Sequence, residues 1–333
     1  MRSKRRPTSV LPPFSIALIL SSKWWAGACY AIWSHPTVAC RLVFFGHMFD
    51  PSHYQLLDFG DGRRLERFGP VVLDRACPSA ESVRPAAAPL WSSADARFER
   101  MDAERGRWTL HGDPPRQWTI AHGRTILELK RTEFGHVGLF PEQAENWDWI
   151  SDQVGRSRSA AGAMKILNLF AHTGGSTLAA AAAGAAVAHV DAARNIVAWA
   201  RHNAELSGLG AAPVRWIAED AVKFAEREVR RGNRYDAVIL DPPSYGHGTH
   251  GEVWRLAADL PRLLALCAEL TMPRPRFVLL TCHTPGLSAR GLRDVAASGF
   301  GSSSAHIDAA PLALVASTGQ TLSSGVMVRW AGG

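Results

Sequence analysis

Residues 164–191 read MKILNLFAHTGGSTLAAAAAGAAVAHVD. The run 165–170 is apolar and strand-like, and it breaks at the turn Thr173-Gly174-Gly175-Ser176. The Ala-rich segment 178–186 has strong helix propensity. A second short apolar run, 187–190, ends on Asp191. Strand, glycine turn, helix, then a strand with a terminal acid is the opening unit of a nucleotide-binding, doubly wound α/β sheet. Gly174 and Gly175 carry no Cβ, so the backbone there is free to approach a ligand closely. Asp191, at the end of the second strand, is placed to accept hydrogen bonds from both hydroxyls of a ribose.

The turn, A-H-T-G-G-S, lacks the G-x-G-x-x-G spacing that admits a pyrophosphate. A ligand with an adenosine and no phosphates fits better, and S-adenosylmethionine is the obvious one, held by Phe170, Thr173, Gly174, Gly175 and Asp191. On this stretch alone a tight turn without a ligand is the alternative. The later sequence adds weight. Asp220 follows a short strand, 215–217, in a loop where a carboxylate would take the adenine amino group. The buried strand 234–240 then runs into Asp241-Pro242-Pro243-Ser244-Tyr245-Gly246. Two prolines fix φ and remove two amide donors, which holds the carbonyls outward at the carboxyl end of a strand. Open α/β sheets place their ligands there. Asp241 and Pro242 are expected against the cofactor, and Pro243, Ser244 and Tyr245 against the substrate.

With these motifs in this order, residues 134–330 resemble class I S-adenosylmethionine-dependent methyltransferases. Within that class they are most similar to the bacterial large-subunit rRNA methyltransferases that modify carbon-5 of cytosine. The likeness rests on NLFAHTGGST (168–177), HVDAA (189–193), AEDAVKF (218–224), ILDPPSYG (239–246) and LLTCHT (279–284). FGHVGLFPEQAENWDWI (134–150) resembles the segment that leads into the family's core. The resemblance implies a Rossmann-like methyltransferase sheet, S-adenosylmethionine as cofactor, ribosomal RNA as partner and substrate, and rRNA processing in the cytoplasm. It also implies that Phe140 and Gln143 help to close the pocket.

Carbon-5 of cytosine is a poor nucleophile, and a thiolate adding at carbon-6 converts it to an enamine that takes the methyl group. The resemblance implies Cys282 as that thiolate, at the end of the strand 276–281, with Asp241 steadying the base at ring nitrogen-3. Cys282 as a small buried hydrophobe is the competing reading. Enzymes of the related two-cysteine type carry a second Cys where Ser244 stands here. The alternative chemistry is methylation of an exocyclic amino group of guanine or adenine, which uses an Asp-Pro-Pro turn and no cysteine. Against it, Ser244 replaces the stacking aromatic, with Tyr245 one place late. A non-catalytic, cofactor-binding RNA-associated protein is a third class, and the retained Asp191, Asp220 and Asp241 speak against it. His247, His250 and His283 have weak spacing for a metal, and no metal is expected.

The remaining chain sets the surroundings. Its 333 residues suffice for two domains and a sizeable core, and 47% hydrophobic with 20% charged residues is ordinary for a globular protein. Five cysteines without C-x-x-C spacing argue against a disulfide framework and for a reducing compartment. The net charge of +7 is concentrated in residues 1–47, which hold six basic residues and no acid. The rest carries 31 basic against 30 acidic residues, net +1, so an RNA-binding face must be a local patch. The apolar run within 14–20, bracketed by Pro12, Pro13 and Lys23, is too short to span a membrane. Residues 1–47 are expected to be a disordered or artefactual extension, in preference to a secretory signal or a functional arm.

A small β-rich N-terminal domain is expected over 48–133, with a hairpin at Gly60-Asp61-Gly62 and short strands at Trp91, 108–110, 117–120 and 125–129. Its tryptophans are expected to fill the core rather than to stack on bases. A bridging segment, 134–163, contains a helix over 142–153, and the methyltransferase domain follows over 164–333. Further helices are expected over 193–207, 222–231, 252–270 and 292–298, with 326–330 in an antiparallel pair closing the sheet.

Overall fold

The computed structural model describes residues 49–102, 105–157, 162–247, 251–301 and 307–332. The expectations for residues 1–47 and for His250 lie outside the described residues. Strands β1 (Tyr54–Gly60), β2 (Arg63–Phe68) and β3 (Val71–Ala76) form an antiparallel meander. Strand β4 (Ala96–Arg100) runs parallel to β3, and β5 (Gly106–Leu110) completes this five-stranded sheet. Asp61 and Gly62, with φ of 49° and 72°, make the β1–β2 turn in the left-handed conformation that two-residue hairpins need. Strands β6 (Gln117–His122) and β7 (Thr125–Lys130) form a separate hairpin.

Trp91 departs from expectation. It lies in a 3-10 turn, Ala88–Ser93, and its indole N–H donates to Asp58 at 2.9 Å. Pro89 removes an amide donor there, and the buried Asp58 gathers the turn through the amides of Ala86 and Ala87 as well. Trp118 is buried, and the Trp108 indole donates to the Thr132 carbonyl. The apolar cluster beneath this sheet, with Tyr54, Phe68 and Trp118, also takes in Trp147, Leu178 and Leu322 from the later part of the chain.

After helix α1 (Ala144–Arg156), the chain alternates strand and helix. The order is β8 (Lys165–Leu169), α2 (Gly175–Ala182), β9 (Ala186–Asp191), α3 (Arg194–Leu206), β10 (Val214–Ala218), α4 (Ala221–Arg230) and β11 (Ala237–Leu240). A short hairpin, β12 (Tyr245–His247) and β13 (Val253–Arg255), precedes α5 (Leu256–Leu270), β14 (Phe277–Cys282), α6 (Ala289–Gly299), β15 (Asp308–Val315) and β16 (Thr321–Ala331). The helix expected from 252 therefore starts later, because 253–255 pairs with 245–247 instead.

The main sheet has strand order β10-β9-β8-β11-β14-β16-β15. Its first five strands are parallel, and β16 is antiparallel to both neighbours. The chain leaves β8 toward β9 on one side and returns to β11 on the other, so the strand order reverses between β8 and β11. Ligands of doubly wound sheets sit at such a switch point.

Strand alternation fixes what each face carries. Leu167, Leu169, Val238, Leu240, Val278, Leu280 and Cys282 point to one face and pack against helices α4, α5 and α6. Ile166, Ala237, Ile239, Phe277 and Leu279 point to the other and meet Ile150 and Val154 of α1. Helix α4 buries Ala221, Phe224, Ala225 and Glu228, an i, i+3, i+4, i+7 stripe. Burial of Phe224 alone contributes about 1.5–3 kcal/mol.

Candidate active site

The register of the parallel strands aligns their ends. Leu169 pairs with Leu240, Leu240 with Leu280, and Leu169 with Val190. The residues that follow, Phe170, Asp241, Thr281 and Asp191, therefore share one level at the carboxyl edge. A cleft of about 670 Å³ opens there, lined by Phe140, Phe170, His172, Asp191, Asp220, Asp241, Pro242, Pro243, Ser244, Trp254 and His283. A smaller pocket of about 40 Å³ lies beneath the glycine turn, reached by Thr173, Gly174, Gly175, Gln143 and Asp241.

The turn after β8 is strained. Phe170 and His172 have φ of 55° and 48°, and Gly174 of 93°. Each left-handed non-glycine residue costs about 1–3 kcal/mol, which the surrounding contacts must offset. Asp191 is one such contact: its two oxygens accept from the amides of His172 at 2.9 Å and Ala193 at 3.0 Å. Burial raises the Asp191 carboxyl above its ordinary value, and these two amides offset that only in part. Thr173 donates to the Gly138 carbonyl at 2.6 Å, and its own carbonyl accepts from Asn203. Under the turn, Asn168, Thr177 and His189 form a buried polar relay at 2.8 and 2.9 Å that ties β8 to α2 and β9.

The glycines serve the protein's own packing. A Cβ on Gly175 would stand 2.4 Å from the Trp147 ring, and one on Gly174 would stand 3.2 Å from Ala200. Asp220 lines the cleft and is also the N-cap of α4, accepting from the Lys223 amide at 3.0 Å.

Asp241 is the most heavily held group. Its Oδ1 accepts from the Thr281 hydroxyl at 2.6 Å and lies 3.4 Å from His283 Nε2. Its Oδ2 is 3.3 Å from the Gln143 amide nitrogen. Gln143 is set in turn by Asn146, and Asn146 by two donors of Arg329 on β16. Burial pushes the Asp241 carboxyl up, but the His283 bond and charge, aided by the Thr281 hydroxyl, outweigh it and hold the carboxyl below its ordinary value. Burial likewise pushes His283 down, yet Asp241, Glu142 and the Ser324 carbonyl lift it to about 10. His283 is thus an imidazolium at neutral pH, with Nδ1–H donating to Ser324 at 2.6 Å.

One residue that sequence reasoning passed over completes the site. Trp254, on β13, donates its indole N–H to the Pro243 carbonyl at 2.7 Å and packs on Phe170 with ring centroids 4.9 Å apart. That carbonyl therefore faces the indole rather than the open cleft. Ser244 shares a 2.7 Å hydrogen bond with Thr284. Tyr245 is 53% exposed and stands outside the cleft wall.

Cys282, expected at the cleft, is placed elsewhere. It is 0% exposed, packs in the apolar cluster facing α5 and α6, and its thiol donates to Thr284 at 3.3 Å. The cause is strand parity: Thr281 turns toward Gln143 and Asp241, so its neighbour turns away. Cys77 and Cys267 are buried too, so no described cysteine exposes its sulfur to the cleft. Among the described residues, no group of three His, Cys, Asp or Glu side chains is arranged to hold a metal ion.

The buried histidines set a pH dependence. Burial lowers His136 and His172 to about 4 and His189 to about 3, from an ordinary 6.5. Between pH 6.5 and 4 the unfolded chain binds protons at these positions and the folded chain does not. Their stabilisation is present above pH 6.5 and is lost as pH falls through 4. His283 acts oppositely, stabilising fully below 6.5 and losing that contribution as pH rises toward 10. The urea midpoint is expected to drop between pH 6.5 and 4.5, and a midpoint that rises over that interval would contradict these assignments.

A doubly wound sheet with an aspartate at the end of its second strand, a cleft of about 670 Å³ and an Asp-Pro-Pro turn at its switch point is the layout of a nucleotide-cofactor enzyme. Residues 81–298 match the model of the S-adenosylmethionine-dependent methyltransferase family, and the chain belongs to that family. It is an S-adenosylmethionine-dependent methyltransferase, and S-adenosylmethionine is its cofactor.

A SAM-dependent methyltransferase from Agrobacterium tumefaciens is 36% identical, with a TM-score of 0.77 over 84% of this chain and 90% of that one. A structure described as a SAM-dependent methyltransferase from Streptococcus mutans, 18% identical, shares the fold with a TM-score of 0.66 over 84% and 74% of the two chains. Among curated proteins, the ribosomal RNA large subunit methyltransferase I of Aeromonas salmonicida is 29% identical over 206 residues, 61% of this chain and 50% of the relative. The ribosomal RNA large subunit methyltransferase K of Neisseria meningitidis serogroup B is 33% identical over 154 residues, 45% and 42% of the two chains. The chain spans about half the length, or less, of these two curated relatives.

The cleft fits the cofactor. Its volume suits a nucleoside-sized ligand. Asp191 uses one lone pair of each oxygen on the backbone and keeps others that suit further donors. No helix among the described residues is long and apolar enough to cross a membrane.

Proposed function

We propose that this enzyme methylates an exocyclic amino nitrogen of guanine or adenine in large-subunit ribosomal RNA, in the cytoplasm. One observation carries the choice of acceptor: Asp241-Pro242-Pro243 lines the cleft, while the sulfur of Cys282 lies on the far face of β14. The cysteine-adduct route to carbon-5 of cytosine finds no support in the position of that thiol. The names of the curated relatives support the choice of RNA.

In this reading residues 48–133 form a β-rich N-terminal module, and 134–163 form a bridge that brings Phe140 and Gln143 to the cleft. Residues 164–333 form the catalytic core. Asp191 holds the ribose of the cofactor and Asp220 the adenine amino group. Phe170, Thr173, Gly174 and Gly175 shape the turn around it, beside Pro242. The bound cofactor supplies a methyl group on a positively charged sulfur.

Asp241 accepts a hydrogen bond from the N–H of the base and turns the nitrogen lone pair toward that methyl group. Its carboxylate stays ionised because His283 and Thr281 hold it so. After transfer the nitrogen releases one proton, and Asp241 is the nearest base. Ser244 and Pro243 border the acceptor, and Trp254 fixes Pro243 in place. Tyr245 extends the same hairpin on its exposed side. Cys282→Ala is expected to transfer radiolabel from S-adenosylmethionine to large-subunit ribosomal RNA at a rate within about threefold of wild type, since a buried apolar role affects stability first. A loss comparable to that of an active-site variant would return the reading to a thiolate.

A further inference from the structure

We propose that Phe134 and His136 form a stacking platform for an unpaired ribonucleotide next to the methyl acceptor. The inference rests on the RNA reading above. Phe134 is 47% exposed and lies nearly parallel to His136, at 15° with ring centroids 5.8 Å apart. The rings continue inward. His136 meets Phe140 at 6.3 Å, and Phe140 stacks on His283 at 6.1 Å and 30°. Phe140 and His283 already line the catalytic cleft. A single exposed phenyl group is unremarkable on a protein surface. A series of rings that starts at one and ends against Asp241 is not explained by packing alone.

The turn that presents Phe134 is held from several sides. The Gly135 amide donates to Thr132, the Gly106 amide to Glu133, the Trp108 indole to Thr132, and Arg75 to the Gly135 carbonyl. Gly135 has a φ of 85°, and a Cβ there would stand 2.5 Å from the Phe98 ring. The backbone that carries the ring is therefore fixed, which lowers the ordering cost of binding. His136 is uncharged at neutral pH, because burial and then the Arg75 guanidinium push it down to about 4. Two neutral rings recognise the π-face of any base, and such stacking suits unpaired RNA, whose bases are free to splay out. The modest net charge of residues 48–333 makes stacking more necessary than in a strongly basic protein.

The test is steady-state methylation of unmodified large-subunit ribosomal RNA by wild type, Phe134→Ala and Phe134→Trp. The alanine variant is expected to raise KM for RNA about tenfold, with kcat, S-adenosylhomocysteine affinity and melting temperature held, and tryptophan is expected to restore KM. An alanine variant whose RNA KM stays within about twofold of wild type overturns the platform and leaves the RNA reading standing. A wild-type enzyme that labels no RNA overturns both.

Discussion

Asp241→Asn is expected to lower kcat by about 10²–10⁴-fold while leaving cofactor affinity nearly unchanged. Asparagine keeps the shape of the side chain and an acceptor for the Thr281 hydroxyl, so the carboxyl edge of β11 stays in place. What it removes is the negative charge that, in the proposed reaction, accepts from the reacting amine and takes its proton. A second readout separates this from a structural fault. Burial pushes His283 down, and Asp241 is the main group lifting it to about 10. Without that charge the His283 titration, followed by NMR, is expected to fall from about 10 toward its ordinary 6.5. A variant that keeps full turnover, or an imidazole that still titrates near 10, would remove Asp241 from the mechanism.

The second large effect lies on the other side of the switch point. Asp191→Ala is expected to weaken S-adenosylhomocysteine binding at least about a hundredfold in calorimetry. Two hydrogen bonds to a carboxylate are each worth about 1.5–3 kcal/mol. The same side chain also ties the His172 amide into the strained turn, so its loss frees a residue held at a φ of 48°. Asp191→Asn keeps one strong acceptor and is expected to fall between wild type and alanine. A change smaller than about tenfold for alanine would place the ribose elsewhere.

Much of this was legible in the chain. The strand, turn, helix and terminal acid of 164–191 specify a doubly wound sheet, because their hydrophobic periods and glycine turn have few other solutions. The Asp-Pro-Pro turn announces a strand end with its carbonyls displayed. The direction of Cys282 was not legible. FVLLTC is apolar through to its last polar pair, and a strand buried on both faces shows no alternation from which to read a side. Trp254 was hidden because 252–255 continues smoothly into a helical pattern, and only pairing with 245–247 makes it a strand. Gly175 announced a close approach, but the group approaching is Trp147, from a segment almost thirty residues earlier. Long-range contacts of this kind leave no local signal.

The acceptor atom is the centre of the account, and nucleoside mass spectrometry identifies it directly. Large-subunit ribosomal RNA lacking the modification would be incubated with the enzyme and S-adenosylmethionine, digested to nucleosides and compared with standards. The expected product is a guanosine or adenosine methylated on its exocyclic nitrogen, formed by Cys282→Ala at a rate within about threefold of wild type and by Asp241→Asn about 10²–10⁴-fold more slowly. A 5-methylcytidine that disappears when Cys282 is replaced would contradict it.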